Sequence, residues 1–369
     1  MAALLNSSGF IHFPTEGVQE MKQTIRCSIL GFFFCLACQI PLNAATPVTS
    51  HIMTSTTWTK ANSPYVISSD ILVAKGAILT IEPGVEVQFV STTGGKVTAA
   101  TTDNTDLIIQ GGIRAIGDAA NPIVFGPAVA GSLWGSIFFY NSDVAANSTL
   151  QNCMIKGGKV SLNYASPTIS QCAIFGGRSG IEVVANSSAQ ITNNRITANG
   201  AGIIIWSATC SPVITKNEIY NNNYGIYIKD FGTPDLSGNA VYSNRKYNVV
   251  YYSPKPLAMP GTDFRMTDAA QIGQLIYDGY DNPQLGKVDI SGYIGQPAGT
   301  APAAVMAQAT PTAKVEQPKL DNEEELWGYG RPFEAMRIDN MDKKKKNSNV
   351  FKVIAVGATA AATGILLLL

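Results

Sequence analysis

Histidine is almost missing from this sequence, with two residues, His12 and His51, among 369. No His/Cys cluster with zinc spacing can be assembled from so few. His51 therefore reads as a surface residue of the presumed N-terminal cap rather than a base or a ligand. Charge of one sign is missing too. The 26 basic and 26 acidic side chains cancel to a formal net charge of zero. A general nucleic-acid binder would carry a basic excess or patch, so nucleic acid is not an expected partner. Charged residues make up only 14% of the chain, low for a helical globular protein and usual for a β-rich extracellular one. Cysteine is scarce as well. Three of the six fall in an apolar N-terminal run, leaving Cys153, Cys172 and Cys210, and an odd count builds no disulfide framework. No cofactor is expected.

Long apolar runs occur only at the two ends. Residues 1–20 resemble no folded element and read as an over-extended start. Met21 then opens a second beginning in which Lys22 and Arg26 precede "CSILGFFFCLAC", followed by the small residues of "PLNAATP". A basic segment, an apolar segment and a small-residue exit make a secretory signal over 21–45, cut after Ala44 or Ala45. At the other end, Val350–Leu369 is apolar apart from Lys352 and has the length of a transmembrane helix. The Lys343–Lys346 run ahead of it suits an anionic membrane surface. It also sits on the outer side if the body is exported, against the positive-inside tendency. The expected location is extracytoplasmic and membrane-associated, with the topology of the last helix open.

A helical 3.6-residue period is absent from the middle of the chain, and a different period is present. "ITNNRITANGAGIIIW" (191–206) is followed by "ITKNEIYNNNYGIYIK" (214–229). Ile169, Ile191, Ile214 and Leu236 recur at steps of 22, 23 and 22 residues. Cys172, Asn194, Asn217 and Asn239 keep the same steps, as do Ile174, Ile196, Ile219 and Val241. Gly180, Gly202 and Gly225 are each followed by isoleucine, and Pro167, Pro212 and Pro234 mark corners. A fixed period of this length means stacked units. Each unit holds two or three short β runs, so one unit makes one solenoid turn that rises about one strand spacing, ~4.8 Å. Equivalent residues then stack. Val and Ile form inner ladders, the asparagines bond from coil to coil, and the glycines are expected to supply positive φ at the turns.

These phrases resemble the right-handed parallel β-helix repeats of the pectate-lyase-like superfamily, in the style of NosD-like repeats. The resemblance covers 150–252 strongly. "YVISSDILVAKGAILTIEPGVEVQF", "LIIQGGIRAIGDAANPIVF" and "WGSIFF" look like earlier coils, about nine in all from Trp58 to Tyr252. The expected fold is thus all-β: a right-handed single-stranded parallel β-helix of about 22-residue coils over 65–253, with a C-terminal transmembrane helix at 350–369. Caps are expected at 46–64 and 254–295. Residues 296–349 read as a linker, first Ala/Pro-rich and then charged.

Many relatives of this fold cleave polysaccharides, and that implication can be tested on the residues. A lyase needs clustered carboxylates for calcium and a basic proton acceptor, and a hydrolase needs paired carboxylates facing one groove. Period-two alternation turns outward Glu182 and Val184, then Ile204 and Trp206, Tyr227 and Lys229, and Val250 and Tyr252. Glu182 is the only carboxylate among them. Asp230 reads as a turn residue, Cys153 and Cys172 as apolar fillers of the asparagine corner, and Lys159 with Arg178 as a solvated pair or an anion site. NosD-like proteins are associated with copper-site maturation, but no cluster of soft Met or His ligands is present.

What remains is an outward strip: Phe138, Tyr140, Ile204, Trp206, Tyr227 and Tyr252, flanked by Lys229 and Glu182. An exposed strip of this kind marks an interface, and aromatic rings in a groove can stack on sugars. Alternatively, residues 254–295 fold back and cover it. The expectation is a secreted, membrane-tethered, non-catalytic binding or scaffold module at the cell envelope, with polysaccharide or another envelope component as partner. A polysaccharide lyase or glycoside hydrolase with an unrecognised site is the alternative.

Overall fold

The computed structural model describes residues 44–91, 105–143, 147–230 and 232–295. The expected signal, linker and C-terminal helix lie outside these residues. Among the described residues no helix is long and apolar enough to cross a membrane.

Each coil contributes one short strand to each of three parallel sheets. One full coil consists of Gln190–Thr192, Arg195–Thr197 and Ala201–Ile205. The first sheet runs through seven strands, from Thr56–Trp58 to Val213–Thr215. The second has nine, from Thr46–Val48 to Ala240–Tyr242. The third also has nine, from Ile71–Val73 to Ile276–Tyr277. The pairing is parallel throughout, with identical repeat positions in register: Ile191 on Ile214, Ile196 on Ile219, Ile203 on Ile226. The chain is an all-β, right-handed parallel β-solenoid of about nine turns.

The inner columns explain why the repeat spacing is kept. In the second sheet Ile155, Ile174, Ile196, Ile219 and Val241 stack and are fully buried. Every buried strand methyl removes apolar area from water, at about 25 cal/mol per Å². β-branched side chains suit such ladders because few χ1 states are lost on a pleated surface. The interior is therefore a single long core.

Two asparagine ladders hold the corners. At the first, Cys172 N–H donates to Asn194 Oδ1, Asn194 N–H to Asn217 Oδ1 and Asn217 N–H to Asn239 Oδ1, all at 2.9 Å. Each Nδ2 also donates to a backbone carbonyl, as Asn217 does to Ile191 (2.8 Å). The second ladder, at the next corner, escaped the repeat reading. There Gly177 N–H, Asn199 N–H and Asn222 N–H donate to the Oδ1 of Asn199, Asn222 and Asn244, each at 3.0 Å. The residue before each ladder member turns through positive φ: Asn193 (57°) and Lys216 (58°) at the first corner, Ala198 (56°) and Asn221 (55°) at the second.

The repeated glycines have a different task from the one expected. Gly202 is not among the positive-φ glycines. A Cβ there would lie 2.6 Å from Gly225 O and 2.7 Å from Ile219 Cγ2, so this glycine serves close approach between coils rather than turning.

Both ends join the stack. Thr46–Val48 pairs with Tyr65–Ile67, so the N-terminal segment forms a coil of its own. At the other end Leu257–Ala258 pairs with Val288–Asp289, and Ile276–Tyr277 extends the third sheet. The short helix Ala269–Gly273 buries Ile272, and Met259, Phe264 and Ile290 close the core. Asp268 caps that helix by accepting from Ala270 N–H.

Candidate functional site

The outward face of the third sheet carries every residue of the expected strip. Alternation holds as read. Ile203, Ile205, Ile226 and Ile228 belong to the interior core, while Ile204 and Tyr227 belong to a separate outer cluster with Ala201, Tyr224, Val250 and Tyr277. Register aligns Phe138 with Ser161, Ser161 with Glu182, Glu182 with Ile204, Ile204 with Tyr227, Tyr227 with Val250, and Val250 with Tyr277. A second column beside it holds Tyr140, Asn163, Val184, Trp206, Lys229 and Tyr252.

The two columns differ in exposure. In the first, Phe138 (3%), Glu182 (4%), Ile204 (1%) and Tyr227 (1%) are buried. In the second, Tyr140, Trp206, Lys229 and Tyr252 are half-buried. The first column is therefore no open groove. At its C-terminal end Tyr277 and Leu285, both from 254–295, pack into the cluster, so the covering alternative holds there. Tyr227 meets Tyr224 edge-on at 6.1 Å and Tyr252 at 5.7 Å, and Tyr252 meets Tyr277 at 5.4 Å. Lys229 Nζ sits 4.3 Å over the Trp206 ring, a cation–π contact. These rings form a lip along a packed face.

The other half of the face is polar. Lys159 Nζ reaches both Glu182 oxygens at 2.8 Å, and Ser179 Oγ donates to Oε1 at 2.7 Å. Lys159 is thus committed to Glu182, which corrects the pairing with Arg178 as an anion site. Asp106, which sequence reasoning missed, is a second buried carboxylate on this face. Its Oδ1 accepts from Ser136 N–H (2.6 Å) and Ser136 Oγ (2.7 Å). It lies outside the regular repeats, so no periodic signal pointed to it. Ser161 Oγ and Asn163 Oδ1 are buried here without a hydrogen-bond partner.

The geometry bears directly on catalysis. Asp106 and Glu182 lie three strand steps apart along the sheet, about 14 Å at ~4.8 Å per step. Glycosidase carboxylate pairs sit about 5–9.5 Å apart. Among the described residues no group of three or more His, Cys, Asp or Glu side chains is arranged for a metal ion.

The remaining candidates have structural partners. His51 Nδ1 accepts from Leu72 N–H at 3.2 Å. Cys153 and Cys172 are free, buried thiols whose Sγ atoms donate to the carbonyls of Ala115 (3.4 Å) and Leu150 (3.5 Å). Burial pushes the Cys153 thiol well up, so it fills space rather than reacting. Asp230 follows its strand at φ 67°, a turn position.

No curated protein and no solved structure matches the chain. One family model does, described as right handed beta helix region, over residues 131–259. That stretch contains the regular coils, both asparagine ladders and most of the outward strip, while parallel pairing already begins at Thr46. Residues 131–259 thus match the model of a right-handed β-helix region, and the described residues continue the same parallel β-solenoid on its N-terminal side.

Proposed function

We propose that this β-helix is a non-catalytic binding or scaffold module, exported and tethered at the cell envelope, which takes a polysaccharide or similar envelope polymer along the lip of its third sheet. The observation that carries the reading is the second outward column, in which the half-buried Tyr140, Trp206, Lys229 and Tyr252 stand in line with the buried Asn163 and Val184. Half-buried rings offer apolar faces to sugar rings. Beside them Ser161 Oγ and Asn163 Oδ1 are buried polar atoms without a partner, and such groups cost free energy until satisfied. Glu182, held by Lys159 and Ser179, lends the face polarity while its charge is already balanced.

A panel of envelope and plant polysaccharides, incubated with the full chain, tests this. Binding without release of cleaved product is expected. Trp206→Ala should weaken binding about tenfold or more, as expected for a central aromatic contact. Product release abolished by Glu182→Gln would favour the lyase or hydrolase reading instead.

A further inference from the structure

The first asparagine ladder ends in a pair of cysteines. Asn239, Asn217 and Asn194 pass their hydrogen bonds along the corner as far as Cys172 N–H, and the next position on that corner is Cys153. Register sets the two opposite each other. Met154 pairs with Ala173 and Ile155 with Ile174, so Cys153 lies one parallel strand step from Cys172. That step is about 4.8 Å, within the roughly 4.4–6.8 Å between Cα atoms that a disulfide spans.

The side chains also meet. Cys172 Sγ donates to Leu150 O at 3.5 Å, a carbonyl of the coil that carries Cys153. Asn194 Nδ2 takes the equivalent route to Ile169 O at 2.9 Å and also reaches Asn217 Oδ1 at 3.0 Å, so neighbours at this corner touch from coil to coil. Burial first, and then a hydrogen bond to Cys172, push the Cys153 thiol up, which places the two sulfur groups in contact. Cys210 lies elsewhere, past the strand Ala201–Ile205, with its N–H on Ser207 O at 3.1 Å.

We infer that Cys153 and Cys172 join in a disulfide when the chain folds in an oxidising medium, a covalent rung that braces the corner where asparagine stops. The oxidant is a small external disulfide. One cysteine thiolate attacks it and expels a thiolate, and the second cysteine thiolate then attacks the mixed disulfide at the first cysteine's sulfur and expels the other. The cysteine pair gives up two electrons and two protons, and the external disulfide becomes two thiols. Both cysteines are 2% exposed once the coils have closed, so the bond forms before burial and is shielded afterwards. The inference stands on the register of the coils and not on the reading of the outer face.

Refolding the reduced, unfolded full chain with oxidised and reduced glutathione tests it. Free thiols are then alkylated in denaturant and the chain is digested with trypsin. The expected product is peptide 115–156 joined to peptide 160–178, separable by reductant, with Cys210 alkylated in peptide 196–216. Because the rung restricts the unfolded chain, the oxidised chain should unfold at a higher urea midpoint than the same chain refolded with reduced glutathione alone. That difference should vanish in C153A/C172A, and if this variant does not fold, the comparison within the parent chain still decides. Alkylation of both Cys153 and Cys172 in a chain that keeps the parent's cooperative transition would overturn the inference. A bond from either one to Cys210, or an oxidised chain that unfolds at the same or a lower urea midpoint, would overturn it too.

Discussion

Two halves of one sheet face are built to opposite rules. Toward the N terminus the outward positions mix Phe138, Tyr140 and Val184 with polar groups, Asp106 with Ser136 and Lys159 with Glu182 and Ser179, each polar group held by short directional bonds. Toward the C terminus Ile204, Tyr227, Val250 and Tyr277 make a small second core of broad ring contacts. Behind both halves the interior is one continuous core, mostly aliphatic with Phe139 and Tyr251 among its members. Stacking constrains the inner side of each strand, since every coil must fit those above and below it. The outer side is released from that demand and carries whatever each half requires. One half is sensitive to loss of a partner, the other to loss of area.

The largest expected effect lies in the apolar half. Tyr227→Ala should destabilise by about 3–5 kcal/mol, on the scale of a buried ring deletion, measured by urea unfolding. A cost below about 0.5 kcal/mol, usual for a surface site, would break the contrast by showing the face to be open. In the polar half, Lys159→Met should cost about 1.5–3 kcal/mol, the range for hydrogen bonds to charged groups, because Glu182 keeps only Ser179. Adding Glu182→Leu should recover most of that loss, since removing both partners of a buried pair costs less than removing one. Additive losses would instead mean that the pair contributes no coupling.

The shared interior gives an intermediate case. Asn217→Leu should cost about 1–3 kcal/mol in thermal or urea unfolding, because Asn194 N–H loses its acceptor and Ile191 O its donor. A parent-like transition would show that the ladder contributes nothing net.

The smallest effect concerns a solvent-facing pair on the second sheet, a control for both halves. Tyr242 donates to Glu218 at 2.7 Å. That bond and Arg195 hold the Glu218 carboxyl below its usual range, while burial and then Glu218 push Tyr242 up to about 12. The signs follow by linkage. Glu218's contribution is present above the usual carboxylate range and lost as pH falls through its lowered value. Tyr242's is present below the ordinary tyrosine range and lost as pH rises toward 12. Stability against pH should therefore bend less at both ends in Tyr242→Phe. Identical curves for variant and parent would show the pair to be energetically silent.

Much of this was legible in the residues. The spacing of Ile191 and Ile214, or of Asn194 and Asn217, is a direct record of stacking, because a parallel solenoid places equivalent positions one strand step apart. Alternation then told inward from outward residues, and Ile203 and Ile204 fall in different clusters as it requires. The second ladder at Asn199, Asn222 and Asn244 follows the same rule, with steps of 23 and 22 residues, and was equally legible. Asp106 was beyond reach, since its coil departs from the period.

The sequence by itself determined the fold, its register and the direction of each strand side chain, because all three follow from a local period repeated coil after coil. Only the tertiary structure decided how accessible that face is. Alternation says which way Tyr227 points but not what meets it there, and Tyr224, Tyr252 and Tyr277 arrive from other coils. It likewise decided that Lys159 belongs to Glu182 rather than to an anion, because a side chain's partner depends on distances in space that no one-dimensional period encodes.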